Sequence, residues 1–196
     1  MPLTKLNNKA VANVTILPVA LGDMVLVSSA TASSSASIEF TLGNYKEYKF
    51  FFVNIHPAND GVTLEWQVST DNGSTYATTV TNTFFRSRHN ESDTTTALQY
   101  ETSYDQAQGT SFIRTNGGIG NQNDENHAMI LNIFNPSSTN YVKHYIFVGS
   151  NTQDNDFAEN LFGAGYFNTT SALTNIKFQM SSGNIDAGKI LMFGIN

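Results

Sequence analysis

The clearest structural signal in this chain is the stretch VTLEWQVSTDNGSTY, which runs from Val62 to Tyr76. From Val62 to Ser69 apolar and polar residues alternate strictly, which places all the apolar side chains on one side of an extended strand. Asp71, Asn72 and Gly73 follow, and these residue types predict a tight turn. We therefore expect a strand, a turn and the start of a returning strand, with one face toward the core and the other toward solvent.

The same two-residue alternation recurs along the chain and helical periodicity is scarce, which predicts an all-β protein. Ten strands of this kind favour a single two-sheet antiparallel β-sandwich that is jelly-roll-like. A long loop region is expected in the middle of the chain, from Arg88 to Asn126, as a variable surface or contact arm. The expected strands are Val11–Leu17, Met24–Val27, Ser37–Leu42, Tyr48–Ile55, Val62–Ser69, Tyr76–Phe85, His127–Phe134, Tyr141–Val148, Leu173–Met180 and Lys189–Ile195.

Length and composition narrow the class of protein. A chain of 196 residues is long enough for one β-sandwich domain over residues 1–196, in which residues 1–30 would supply an N-terminal strand or assembly arm. Only 13% of the residues are charged, so Ser, Thr, Asn and Gln must cover most of the surface. This composition is common in particle and extracellular proteins.

The composition and the net charge also disfavour several partners and kinds of chemistry. The chain has no cysteine, which excludes disulfides, thiolate zinc sites and cysteine nucleophiles. A net charge of -6 with ten scattered Lys and Arg residues makes nucleic acid an unexpected partner. The apolar stretch from Val14 to Val27 is interrupted by Pro18 and Asp23, so it favours strands over an export signal, and no run is long enough to span a membrane.

The turn after Ser69 is similar to the Asp-box, a Ser-x-Asp-x-Gly-x-Thr-Trp motif known from sialidases, with Tyr76 in place of the usual Trp. Asp71 would accept hydrogen bonds from backbone N–H groups, Gly73 would supply a positive φ, and Tyr76 would pack beneath the loop. Sialidases carry several copies of the motif on a six-bladed propeller, and one copy in this chain cannot supply that architecture. We therefore interpret the motif as a structural turn.

No catalytic constellation emerges from the sequence, and we expect no enzyme. Arg86, Arg88 and Arg114 could be compared with a carboxylate-binding triad, but the first two are neighbours on one expected strand. No serine lies in a strand-turn-helix elbow, so a Ser-His-Asp arrangement has no support. The histidines lack ligand spacing and are expected to face solvent at positions His56, His89, His127 and His144.

One acidic segment could bind calcium through carboxylate oxygens. Asp154, Asp156 and Glu159 lie close in sequence, but the segment lacks the glycine and the glutamate spacing of an EF-hand loop. A solvated acidic loop is the preferred interpretation, and we expect no cofactor and no bound metal.

Aromatic residues outside the expected strands are candidates for contacts. Such rings can stack on sugars or fill a partner's pocket, and they can equally pin long loops onto the sandwich or pack in a subunit interface. The candidates are Tyr100, Tyr104, Phe112, Phe157 and Tyr166.

The C-terminal region resembles the closing hairpin of small β-sandwich structural proteins from tailed bacteriophages. In those proteins a strand leads into Ser-Gly-Asn-Ile-x-x-Gly and then into a strand of the type Leu-Tyr-Gly-Ile; here Gly183 and Asn184 occupy the turn and Phe193 replaces the tyrosine. Earlier segments of the same kind, in the family's order, are Tyr45–Val53, Leu64–Tyr76 and the turn at Asn135-Pro136.

The resemblance implies a non-enzymatic virion component, with head decoration or cementing slightly favoured over a small tail component. It also implies a homo-oligomer, plausibly a trimer, in contact with major capsid or tail proteins. The alternative is a glycan-binding sandwich that recognises a host surface polysaccharide.

Overall fold

The computed structural model describes residues 24–196. The strand predicted over Val11–Leu17, and most of the arm predicted over residues 1–30, lie outside this range. Within it the chain forms thirteen β-strands and no helix, and every strand pairing is antiparallel. The all-β prediction is confirmed.

Nine of the described strands form one large sheet, in the order β1-β13-β3-β9-β10-β11-β5-β6, with β7 paired to β5. The strands of the large sheet are β1 (Met24–Thr31), β3 (Glu47–Pro57), β5 (Val80–Asn90), β6 (Thr96–Tyr100), β7 (Gln106–Gly109), β9 (His127–Phe134), β10 (Lys143–Thr152), β11 (Phe157–Phe167) and β13 (Ile185–Ile195).

The other four described strands form a small sheet in the order β2-β12-β4-β8. Its strands are β2 (Ile38–Thr41), β4 (Leu64–Ser69), β8 (Ile113–Arg114) and β12 (Asn175–Met180).

The small sheet packs on the inner face of the large one, and the core lies between them. The Phe178 ring of β12 lies 5.5 Å from Phe50 and 5.0 Å from Phe52 of β3, both in edge-to-face geometry. On β4 the fully buried Trp66 meets Tyr145 of β10 at 4.8 Å. Each such side chain stabilises the fold by roughly 1.5–3 kcal/mol through burial of apolar area. The two-sheet sandwich is thus confirmed, whereas the unequal division into nine and four strands gives no confirmation of a jelly roll.

The stretch from Val62 to Tyr76 does not form the predicted hairpin. Strand β4 pairs with β12 and β8 in the small sheet, and the chain then crosses to the large sheet, where β5 begins at Val80 and pairs with β11. The turn is therefore a connection between the two sheets.

The polar side of β4 is also not solvent-facing as predicted, because Gln67 and Ser69 are fully buried. The Gln67 side-chain amide donates to the carbonyl oxygens of Thr78 and Ser111, each at 3.1 Å. Both carbonyls belong to irregular segments that pass beside β4, and each part-buried oxygen needs a donor. A polar residue at position 67 supplies one.

The prediction of a long loop over Arg88–Asn126 is wrong, because β6, β7 and β8 lie inside this range. Strand β11 was missed altogether, although it lies between β10 and β5 in the large sheet. Two of its inward positions are Gly163 and Gly165, where an added Cβ would collide with the rings of Phe147 and Tyr145. Glycine at core positions removes the apolar alternation by which a strand is recognised in sequence.

Candidate functional site

The Asp71 turn is built as a closed network of hydrogen bonds. Ser69 Oγ donates to Asp71 Oδ1 at 2.6 Å, and Thr75 donates to the same carboxylate through its backbone N–H at 2.9 Å and its hydroxyl at 2.7 Å. These bonds from Ser69 and Thr75 lower the pKa of Asp71 to about 2. Since these bonds lie within the turn, the carboxylate stabilises this connection.

Tyr76 links the same turn to the small sheet. Its hydroxyl donates to Glu39 Oε2 of β2 at 2.9 Å, and the ammonium of Lys177 on β12 lies 4.6 Å from the ring centroid. Lys177 also pairs with Glu39 at 2.9 Å. Tyr76 therefore anchors the connection to strands β2 and β12, which is a structural role.

Replacement of Gly73 by valine is expected to destabilise the protein by about 1–2 kcal/mol, because Gly73 has a φ of 84° that a β-branched residue resists. The measurement is the urea midpoint of Gly73→Val and of Gly73→Asn, since asparagine tolerates the left-handed region better. Equal midpoints for the wild type and Gly73→Val would contradict the prediction.

The second predicted turn, at Gly183 and Asn184, joins β12 of the small sheet to β13 of the large one. Gly183 has a φ of 73°, and the Asn184 amide donates to the carbonyl oxygen of Ser34 at 3.0 Å. The expected closing hairpin is therefore not formed, because this turn, like the first, connects the two sheets.

The structure does not assemble the candidate calcium ligands. Asp154 and Asp156 lie exposed in the turn between β10 and β11, whereas Glu159 is inside β11 and only 2% exposed. The Glu159 carboxylate accepts hydrogen bonds from Arg86 and, at 3.0 Å, from Asn151. No group of three or more metal-ligating side chains occurs in residues 24–196.

Arg86 lies at the centre of a buried polar cluster, at the same end of the inner face as Glu159. It pairs with Glu159 on one side and with Glu101 on the other, the latter at 2.8 Å. Its guanidinium and that of Arg114 lie 5.7 and 5.5 Å from the centroid of the Tyr104 ring. Because Arg86 is occupied by two carboxylates, it is not free to bind a substrate carboxylate.

The histidine expectation is wrong at one position. His127 begins β9 on its inner side and is fully buried. Burial lowers the pKa of His127 to about 4, and an interaction with the Ser150 backbone offsets only part of this. The ring is therefore neutral at physiological pH.

The five candidate aromatics do not form one site. Tyr100 and Tyr166 lie on the outer face of the large sheet, whereas Phe157 packs against Arg88 at 5.0 Å and Tyr104 packs against the core residue Phe84 at 5.2 Å. Phe112 is half-buried beside β8. Only the first two could meet a partner on a shared surface.

That surface, the outer face of the large sheet, carries a continuous row of apolar side chains. In this row each residue is paired in register with the next one across seven neighbouring strands, from β13 to β6. We call the row the apolar ridge; it consists of Leu191, Phe51, Ile130, Val148, Phe162, Phe85 and Tyr100.

The ridge side chains point away from the core, and they are substantially exposed. The exposed fraction is 36% for Ile130 and 43% for Phe85, and the values for Phe162 and Val148 lie between these two. The Phe85 and Phe162 rings stack in parallel at a centroid distance of 4.9 Å. Single exposed apolar residues need no explanation, but a contiguous exposed row marks an interaction surface.

Grooves flank the apolar ridge on both sides. One, of about 410 Å³, passes beside Ile146 and Ala164. On the other side, grooves of about 290 and 650 Å³ are lined by larger side chains such as Leu98 and Val53 and, between them, by four residues with short polar or small side chains. We call these residues the small row; they are Ala128, Ser150, Asn160 and Ser87, again paired in register.

The face is also depleted of charge. Among the described residues, the outward positions of β9, β10, β11, β5 and β6 contain no Asp, Glu, Lys or Arg. Charged outward positions follow on β3 and β13, at Glu47, Lys49 and Lys189, and at the β6 edge the Asp105 carboxylate accepts a hydrogen bond from the Tyr100 hydroxyl at 2.6 Å. Depletion of charge together with apolar and aromatic side chains is typical of the core of a protein–protein interface.

Most of this surface was not predicted from the sequence, although a signal was present. In FFF (Phe50–Phe52) and in MIL (Met129–Leu131) the alternation is lost because both faces of the strand are apolar. A strand that is apolar on both faces has a second surface to bury, which in this chain is the outer face of the sheet.

Compared with known proteins, the chain matches no family model, no curated protein and no solved structure. In residues 24–196 there is no helix with the length and hydropathy needed to cross a membrane.

Proposed function

We propose that this protein is a non-enzymatic structural component of a bacteriophage virion that works through protein–protein contacts. The observation that carries the proposal is the outer face of the large sheet, with its apolar ridge and with five neighbouring strands that carry no Asp, Glu, Lys or Arg at outward positions. A surface of this composition gains free energy when it is covered by another protein, and it offers few polar groups with which to orient a small substrate.

The virion assignment rests on the resemblance of the closing strands and turns to small phage structural proteins. Features of the fold support it. The sandwich holds itself together by packing and pairing without any cysteine, so it can form in a reducing cytoplasm before particle assembly. We favour head decoration or cementing over a small tail component, with major capsid or tail proteins as partners.

The glycan-binding alternative has weaker support from the same surface. A sugar site combines an aromatic platform with convergent polar groups. The groove beside the stacked Phe85 and Phe162 rings is lined mainly by apolar residues, and the amide of Asn132 at its edge is already bound to Glu47. A carbohydrate array distinguishes the two functions, because saturable binding that is lost in Phe162→Ala would favour the glycan.

The direct test is to look for the protein in particles. We expect a 21.5 kDa band to co-sediment with purified virions and an antibody against the chain to label them. Particles from a deletion strain provide the control, and adding purified protein to them should raise the temperature at which they release DNA. Absence of the chain from purified virions would refute the proposal.

A further inference from the structure

We propose that the outer face of the large sheet binds a second copy of this chain, face to face and related by a two-fold axis. This deepens the proposed function and rests on it, since it names the first partner of the contact surface. The relief of the face, its charge and its size support this contact.

The relief of the face is self-complementary. The apolar ridge runs across the strands, and on β9, β10, β11 and β5 the small row lies beside it at a distance of two residues, as Val148 and Ser150 show on β10; on β6 the row is bounded by the exposed Leu98, which is paired with Ser87. A two-fold axis parallel to the ridge, between the two rows, places the ridge of each copy over the small row of the other. Such an isologous contact uses one patch twice and closes on itself.

The charge of the chain favours a second copy as the partner of this face. Each copy carries a net charge of -6, so two copies repel one another unless they meet through a neutral surface. The outward positions of β9, β10, β11, β5 and β6 are that surface within the described chain. A neutral face has no charge pattern with which to select a different, oppositely charged partner.

The size of the face is sufficient for a stable dimer. From β3 to β6 there are six neighbouring strands, which span about 24 Å at about 4.8 Å per spacing. Their longer members extend about 26–36 Å, so the planar area is roughly 600–900 Å² per copy. A standard protein–protein interface buries about 800 Å² per partner, which this face can supply.

Sedimentation equilibrium on the full chain tests the proposal. The wild type should have twice the 21.5 kDa chain mass, and Val148→Lys should have the chain mass with an unchanged circular dichroism spectrum. Ala77→Lys is the matched control, because Ala77 is exposed on the segment that crosses the small sheet; this variant should remain dimeric. A monomeric or trimeric wild type, or a dimeric Val148→Lys, would overturn the proposal.

Cross-linking tests the geometry independently. Because the chain has no cysteine, a single introduced cysteine is the only reactive thiol. Ser150→Cys should give a dimer with a short bismaleimide, whereas Ala77→Cys should not; sheets packed about 10 Å apart suit such a linker better than a direct disulfide. Cross-linking at Ala77 but not at Ser150 would refute the face-to-face arrangement.

The two proposals can fail separately. A monomer that is nevertheless found in purified virions would overturn the second-copy contact and leave the virion role standing. A dimer that is absent from virions would overturn the virion role and leave the contact standing.

Discussion

Replacing Arg86 with methionine should destabilise the protein by about 3–5 kcal/mol, the usual cost of breaking a buried ion pair from one side. Arg86 is 7% exposed and Glu159 is 2% exposed, so the variant leaves a carboxylate inside the sandwich without its cation. For a chain of this size the melting temperature should fall by about 10 °C. Differential scanning calorimetry at pH 7 provides the measurement.

The matched control is Lys177→Met, which removes the partly exposed partner of the exposed Glu39. Exposed pairs contribute about 0–1 kcal/mol, so this variant should melt close to the wild type. In the double variant Arg86→Met with Glu159→Met, the buried carboxylate is removed together with its cation and only the less buried Glu101 loses its partner, so the loss should be smaller than the sum of the two single losses. A loss below about 1 kcal/mol in Arg86→Met would show that the pair is not effectively buried.

The second large effect is a loss of stability in weak acid because of His127. In the unfolded chain its pKa is near 6.5, whereas burial lowers the pKa of His127 in the fold to about 4. As the pH falls from 6.5 to 4 the unfolded chain binds a proton that the folded protein does not, so the unfolded state is favoured. The stability from this residue is complete above about pH 6.5, and about 3 kcal/mol of it is lost by pH 4.

Urea unfolding at pH 7 and pH 4.5 measures this effect. His127→Gln cannot titrate, so its free energy of unfolding should change much less between the two pH values than that of the wild type. His144→Gln, at an exposed position on the outer face, should keep the wild-type pH dependence. An unchanged pH dependence in His127→Gln would assign the acid sensitivity to other groups.

The Asp71 turn responds in a separate pH window. Hydrogen bonds from Ser69 and Thr75 lower the pKa of Asp71 to about 2, below its ordinary value of 3.8. Its stabilising effect is therefore complete above pH 3.8 and is lost as the pH falls to about 2. Unfolding between pH 6.5 and 4.5 thus reports on His127 without a contribution from Asp71.

Much of the fold could be predicted from local patterns. Period-two alternation located nine of the thirteen described strands, and the bounds predicted for His127–Phe134 match β9. Two of the four missed strands have identifiable causes: β8 has only two residues, and β11 carries glycine at inward positions where atoms from β10 and β5 occupy the space. In both cases the information lies in the neighbouring strands.

The candidate surface was harder to predict, because it depends on register. Phe51, Ile130, Val148 and Phe162 are far apart in sequence, and only the pairing of β3, β9, β10 and β11 aligns them in one row. A shift of one residue in any strand would turn its ridge residue toward the core. Sequence alone does not specify which strands become neighbours.

The sequence by itself therefore determined the β class, most strand positions and the residues of the tight turns, because these depend on side-chain alternation and local backbone preferences. Only the tertiary structure decided that Val62–Tyr76 connects two sheets, that Gln67 and His127 are buried, and that Arg86 meets Glu159. It also decided that the apolar ridge is continuous. All of these depend on contacts between segments distant in the chain, whose pairing is set by how the two sheets pack together.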